Sequence, residues 1–187
     1  MTRFRYLPLL PRKTAPPEDA WALRQILIWG QLVSVAGVGF TAGLAMWPFA
    51  IIAGVGLFYG HRYAHSRREA PSKRVRVLIF GGIHFVFCLM LFGIGVGLPY
   101  PQAIMAMWSM ALVSWEMFSR RHLYFGWLFG LANLYVTAIL SRSTIFVIFL
   151  LLFTAVFALF LWVLEQIDAE KAGYRVEGGL GATVAGW

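Results

Sequence analysis

The sequence predicts an all-α fold: a polytopic integral membrane helix bundle of six transmembrane helices, arranged as three antiparallel hairpins with the N-terminus inside. Three observations lead there: the composition, six apolar segments of membrane length, and the one-sided placement of charge. Of 187 residues, 60% are hydrophobic and 13% charged, with a mean hydropathy of +0.72. That is more apolar surface than a soluble domain of this size buries. The single cysteine, Cys88, excludes an intrachain disulfide and gives no metal or redox spacing.

Residues 1–20 form a polar, proline-broken tail with Arg3, Arg5, Arg12 and Lys13. No apolar core or small-residue cleavage site follows those cations, so the tail does not read as a secretory signal. It reads as a cytoplasmic tail, partly disordered or lying on the anionic lipid surface, with Glu18 and Asp19 placed to start a helical turn at Trp21. The membrane domain spans 21–165. Its apolar segments run Leu23–Ala42, Trp47–Ala64, Val75–Leu98, Gln102–Phe118, Leu123–Leu140 and Thr144–Leu164. Each is about 17 to 24 residues, the length that crosses a hydrocarbon core. Short connections make sequential helices antiparallel neighbours. Residues 166–187 are an acidic and basic link that passes into Gly178–Trp187, which reads as the opening of a seventh helix or as a flexible glycine-rich end, the first being preferred.

Charge sets the orientation. With the N-terminus inside, every Lys and Arg except Arg142 falls on the cytoplasmic face or its helix flanks, as do all 8 acidic residues. Orientation therefore explains the net charge of +8, and nucleic acid is not needed as a partner. Arg120 and Arg121 mark an inner-face turn. Glu116, four residues before Arg120, is spaced for a helical ion pair that ties this turn down.

Four Gly-x-x-x-Gly pairs lie in apolar segments: Gly39/Gly43, Gly56/Gly60, Gly93/Gly97 and Gly126/Gly130. Such faces let helix backbones approach, within the bundle or across a dimer, and packing within the bundle is the preferred reading. Phe146, Phe149, Phe153, Phe157 and Phe160 form a stripe at helical spacing, suited to bundle packing, to lipid or to a partner helix.

Polar residues within the membrane are where chemistry would sit. His84, with Cys88 one turn later, is either an axial ligand to haem or a chlorin pigment or a neutral group bonded to a neighbouring helix. The second reading is preferred because no second ligand accompanies it. Gln31 and Asn133 are expected to bond between helices. His61 and His65 share a helix face near Tyr59, Tyr63, Arg62, Arg67 and Arg68. Without a carboxylate or thiol at ligand spacing they read as a headgroup patch rather than a metal site. No catalytic constellation and no metal site emerge.

The paired helices, the basic loop, the helix ending in Phe118-Ser-Arg-Arg-His122 and the Ser141-Arg-Ser143 turn one helix later resemble the N-terminal membrane domain of bacterial transglutaminase-like proteins of the TgpA type. In that family the helix ends in an Arg-x-Arg-Arg-Asp-like motif. Here Phe118 precedes Ser-Arg-Arg where the family has an arginine, and His122 stands where an acid is common. The resemblance covers about Ala20 to Leu164 and implies a further crossing and an extracytoplasmic Cys-His-Asp domain beyond Trp187. It also implies a bacterial cytoplasmic membrane. The expected function is accordingly a membrane anchor or scaffold with no catalysis of its own. The expected partners are the bilayer, other membrane subunits or such a C-terminal domain. A non-catalytic subunit of a respiratory or photosynthetic complex is the alternative, and a small transporter ranks third because intramembrane charge is sparse and no inverted repeat is visible.

Overall fold

Glycines, a proline and one serine cap set the helix boundaries in the computed structural model, which describes residues 18–67, 71–97, 100–141 and 144–172. Most of the basic tail, Arg68, Arg142 and Ser143 of the turn before Thr144, and the glycine-rich stretch from Gly178 lie outside the described residues.

Helix α1 (Trp21–Ala42) stops at Gly43, whose φ of 90° suits only a residue without Cβ. A short 3-10 turn, Leu44–Met46, leads into α2 (Trp47–Arg67). Helix α3 (Lys73–Val96) begins where the Ser72 hydroxyl accepts the Val75 N–H at 3.4 Å. It ends at Gly97, left-handed at φ 75°, whose N–H returns to the Gly93 carbonyl. Pro101 opens α4 (Pro101–Val113), and α5 (Arg120–Leu140) and α6 (Ile145–Lys171) follow. Gly43 and Gly97 are thus turn residues, and the expectation that they pack helices is corrected: a Cβ on either would meet nothing within 4 Å.

Among the described residues, five helical stretches are long and apolar enough to cross a membrane: Trp21–Ala42, Leu44–Arg67, Lys73–Ile94, Arg120–Leu140 and Ile145–Lys171. The fourth segment, expected as one helix to Phe118, is broken. Its α-helix is 13 residues, rising about 20 Å against a core of about 30 Å. Ser114 ends it by donating its hydroxyl to the Ala111 carbonyl at 2.7 Å, and the chain tightens to a 3-10 turn, Ser114–Glu116. Met117 (ψ 65°) and Ser119 (ψ 160°) then leave helical geometry before α5.

The first helix is the hub. It packs against α5, α6 and α2, while α4 joins α2, α3 and α5, and α3 rests chiefly on α4. Two apolar clusters result. One joins α1, α2 and α4 through Val38, Ala53, Leu57, Met107 and Met110. The other joins α1, α5 and α6 through Leu23, Leu27, Trp127, Phe153 and Phe160. The phenylalanine stripe faces this second cluster: Phe153 and Phe160 are buried and Phe157 half-buried, and all three rings meet Trp127 at 5.0–5.3 Å between centroids. Phe149 packs on Phe40 of α1, and Phe146 is half-buried.

The small residues of the bundle sit at its closest approaches. A Cβ on Gly60 would lie 1.9 Å from Ser114 Oγ, and one on Gly56 would lie 3.2 Å from Ala111 Cβ, so this pair seats α4 on α2. On α5, Gly126 faces Leu27 and Gln31 of α1, and Gly130 faces Phe153 of α6. Gly39 is in ordinary contact with Trp47, and Gly93 is buried.

A buried polar junction as candidate functional site

The link between α4 and α5 presents main-chain carbonyls without helical partners, and a buried cation takes them up. Arg24, one turn into α1, is 0% exposed. Its guanidinium donates to the carbonyls of Met117 and Phe118, the latter at 2.9 Å, and to the Glu18 carbonyl at 3.4 Å. The Phe118 oxygen also accepts the Glu18 N–H at 3.0 Å. A charge in an apolar interior is costly unless hydrogen-bonded, and the orphan carbonyls of a helix end meet that need. The planar fork of arginine suits two adjacent carbonyls as the point charge of lysine does not.

An ionic bridge adjoins this clamp. Glu18, 5% exposed, receives Arg120 Nε at 2.6 Å, and Arg120 reaches Asp168 near the end of α6, also at 2.6 Å. Lys171 lies 4.0 Å from Glu18. The expected Glu116–Arg120 pair is therefore corrected. The two residues do not share a helix, because the chain unwinds between them. Glu116 instead meets Arg76 of α3 at 3.5 Å, while Arg121 is exposed beside the Phe125 ring at 5.8 Å.

Deeper in the bundle, Gln31 joins three helices. Its Nε2 donates to the Gly126 carbonyl of α5 at 3.2 Å, so its Oε1 is the acceptor for His61 Nε2–H of α2 at 2.9 Å. Both side chains are fully buried. Asn133 of α5 donates to Met110 Sδ of α4 at 3.3 Å. His61 thus belongs to the interior rather than to a headgroup patch. His65 sits outside it, its ring 5.0 Å from Trp21.

These contacts gather the starts of α1, α3 and α5 and the ends of α2, α4 and α6 at one end of the bundle. Sequence reading missed the clamp. The charge count places Arg24 with the other cations of the helix flanks, but an arginine one turn inside an apolar segment, seven residues before a glutamine, is the signal of an inward-facing side chain. His84 is a second correction. It is exposed on α3, and its Nδ1–H donates to the Phe80 carbonyl of its own helix at 2.8 Å rather than to a neighbour. Cys88 is exposed as well. Among the described residues no three His, Cys, Asp or Glu side chains gather as a metal set.

The Glu18–Arg120 bridge is expected to be energetically coupled. In a cycle of Glu18→Gln and Arg120→Gln, followed by chemical unfolding in mild detergent, the coupling should be about 1 to 2 kcal/mol. The more exposed Arg76–Glu116 pair should give less than about 1 kcal/mol.

No protein family, curated protein or solved structure matches the chain.

Proposed function

We propose that the chain is a membrane-embedded anchor and assembly module with six crossings and its polar junction on the cytoplasmic face of a bacterial inner membrane. It carries no catalysis of its own. The observation that carries this reading is the use made of the buried polar groups. Arg24, Glu18 and Arg120 fasten the segment before α1, the start of α5 and the end of α6 to one another. Gln31 fastens α1 to α2 and α5. Such bonds hold helices in register and fix where the chain leaves α6. That suits a base on which another domain or subunit is held. The resemblance to transglutaminase-like N-terminal domains names a candidate load, an extracytoplasmic Cys-His-Asp domain.

A second reading, a non-catalytic subunit of a larger complex, is favoured by α3. It rests chiefly on α4 and exposes Val77, Leu78, Phe80, Phe85, Phe92 and Ile94.

Both readings are tested by tagging the protein in its native membrane, extracting it gently, and measuring intact mass and co-purifying chains. An anchor gives a polypeptide well above 21.1 kDa. A subunit gives 21.1 kDa with partners at fixed stoichiometry. A lone 21.1 kDa chain that turns over an acyl-transfer or hydrolysis substrate contradicts both.

A further inference from the structure

The short fourth helix has a consequence for the third. Helix α3 runs 24 residues where α4 offers 13, and beside the first turns of α3 the facing wall is the 3-10 turn that carries Glu116. A groove of about 380 Å³ opens there, lined by Arg76, Ile79, Phe80, Ile83, Val113 and Glu116. Its polarity is graded along α3. The charged pair stands at the mouth, and the walls beyond it are apolar. The groove between α5 and α6 lined by Leu128, Leu131, Tyr135 and Leu150 has no charged residue among the described residues that line it.

Arg76 meets Glu116 through Nε, at 3.5 Å, and its side chain is 55% exposed, so the guanidinium is open to a further partner. Lys73 stands one turn earlier and Arg74 beside it, both exposed and without an ion pair among the described residues. A guanidinium fork is matched to the oxygens of a phosphate, and a second cation one turn away adds to the attraction.

We propose that this groove is a phospholipid site: one acyl chain lies between α3 and α4 along Ile79, Phe80, Ile83 and Val113, and the phosphate sits on Arg76 with Lys73. The lipid supplies the packing that α4 is too short to give, and so seats α3 on the bundle. The assignment rests on the membrane-embedded reading of the chain.

The test uses the full chain in bilayers carrying a trace of phosphatidylglycerol with a diazirine in one acyl chain, and maps cross-linked residues by mass spectrometry. A diacylglycerol with the same chain and no phosphate serves as the second arm. Phosphatidylglycerol should label Ile79–Ile83 and Val113 at least fivefold above the lipid-facing side of α6, and the diacylglycerol should not. Arg76→Gln should reduce the enrichment at least fivefold, with Arg76→Lys restoring part of it. Ile83→Trp, which fills the groove, should abolish it. Should Ile83→Trp fail to fold, the exposed Arg76 variants decide. Equal labelling of α3 and α6, equal labelling by the diacylglycerol, or enrichment unchanged in Arg76→Gln overturns the site. Recovery of the chain outside the membrane fraction would instead overturn the reading on which the site rests.

Discussion

Arg24→Met should lower the unfolding free energy by about 3 kcal/mol or more, measured by chemical unfolding in mild detergent. The estimate has two parts. Methionine approximates the length of the arginine stem, so little of the cost is a cavity. What is lost is a set of charge-assisted hydrogen bonds, each worth about 1.5 to 3 kcal/mol; the Met117 carbonyl loses its arginine donor, and the Phe118 carbonyl keeps only the Glu18 N–H. Arg24→Lys separates charge from geometry. It keeps the cation but loses the fork that spans two carbonyls, and should recover less than half of the loss. If both variants unfold within about 0.5 kcal/mol of the parent, the clamp does not hold the junction.

Gly30→Leu should be the most damaging change in the apolar part of the bundle. A Cβ at Gly30 would lie 2.4 Å from Trp127 Cζ3 and 2.5 Å from Cη2. The indole has little room to retreat, because Phe153, Phe157 and Phe160 surround it at 5.0–5.3 Å. Overpacking of this kind costs about 1 to 3 kcal/mol, and a leucine wedged against a fixed ring belongs at the upper end. Trp127→Ala in the same chain should recover part of the loss, since it removes the ring that clashes. Gly81→Leu is the control. Nothing lies within 4 Å of its Cβ position, so it should be neutral or slightly stabilising. Equal losses at Gly30 and Gly81 would mean that the α1–α5 approach is not the tight one.

Much of this architecture was legible in the sequence because apolar runs and turn residues are local signals. The bounds of α1, α3, α5 and α6 lie within a few residues of the apolar segments, except that α6 continues past Leu164 to Lys171 to bring Asp168 to Arg120. Pairing was less legible. Gly56/Gly60 and Gly126/Gly130 were recognisable as small-residue faces, but Gly43 and Gly97 carry the same spacing and do turn chemistry, because spacing does not report φ. Gly30 is the tightest α1–α5 contact and belongs to none of the four pairs. The polar junction was the least legible part. Its ion pairs join residues 40 to 153 positions apart, and Ser114 ends a helix that hydropathy alone would continue to Phe118, so the carbonyls that Arg24 takes up lie in a link that the apolar pattern does not mark.

That interruption makes α4 the decisive element for the whole arrangement. If the 13-residue helix with its 3-10 extension crosses the membrane, the starts of α3 and α5 emerge on one side. If it does not, they are separated by the bilayer and the junction cannot form. Two-sided thiol labelling of sealed membrane vesicles decides between these outcomes. In a Cys88→Ser background, Arg67→Cys and Arg121→Cys report the junction end, and Leu44→Cys and Tyr100→Cys the other end. The expected result is labelling of Arg67→Cys and Arg121→Cys from the cytoplasmic side alone, and of Leu44→Cys and Tyr100→Cys from the opposite side alone. Labelling of Arg67→Cys and Arg121→Cys from opposite sides would contradict the six-crossing module.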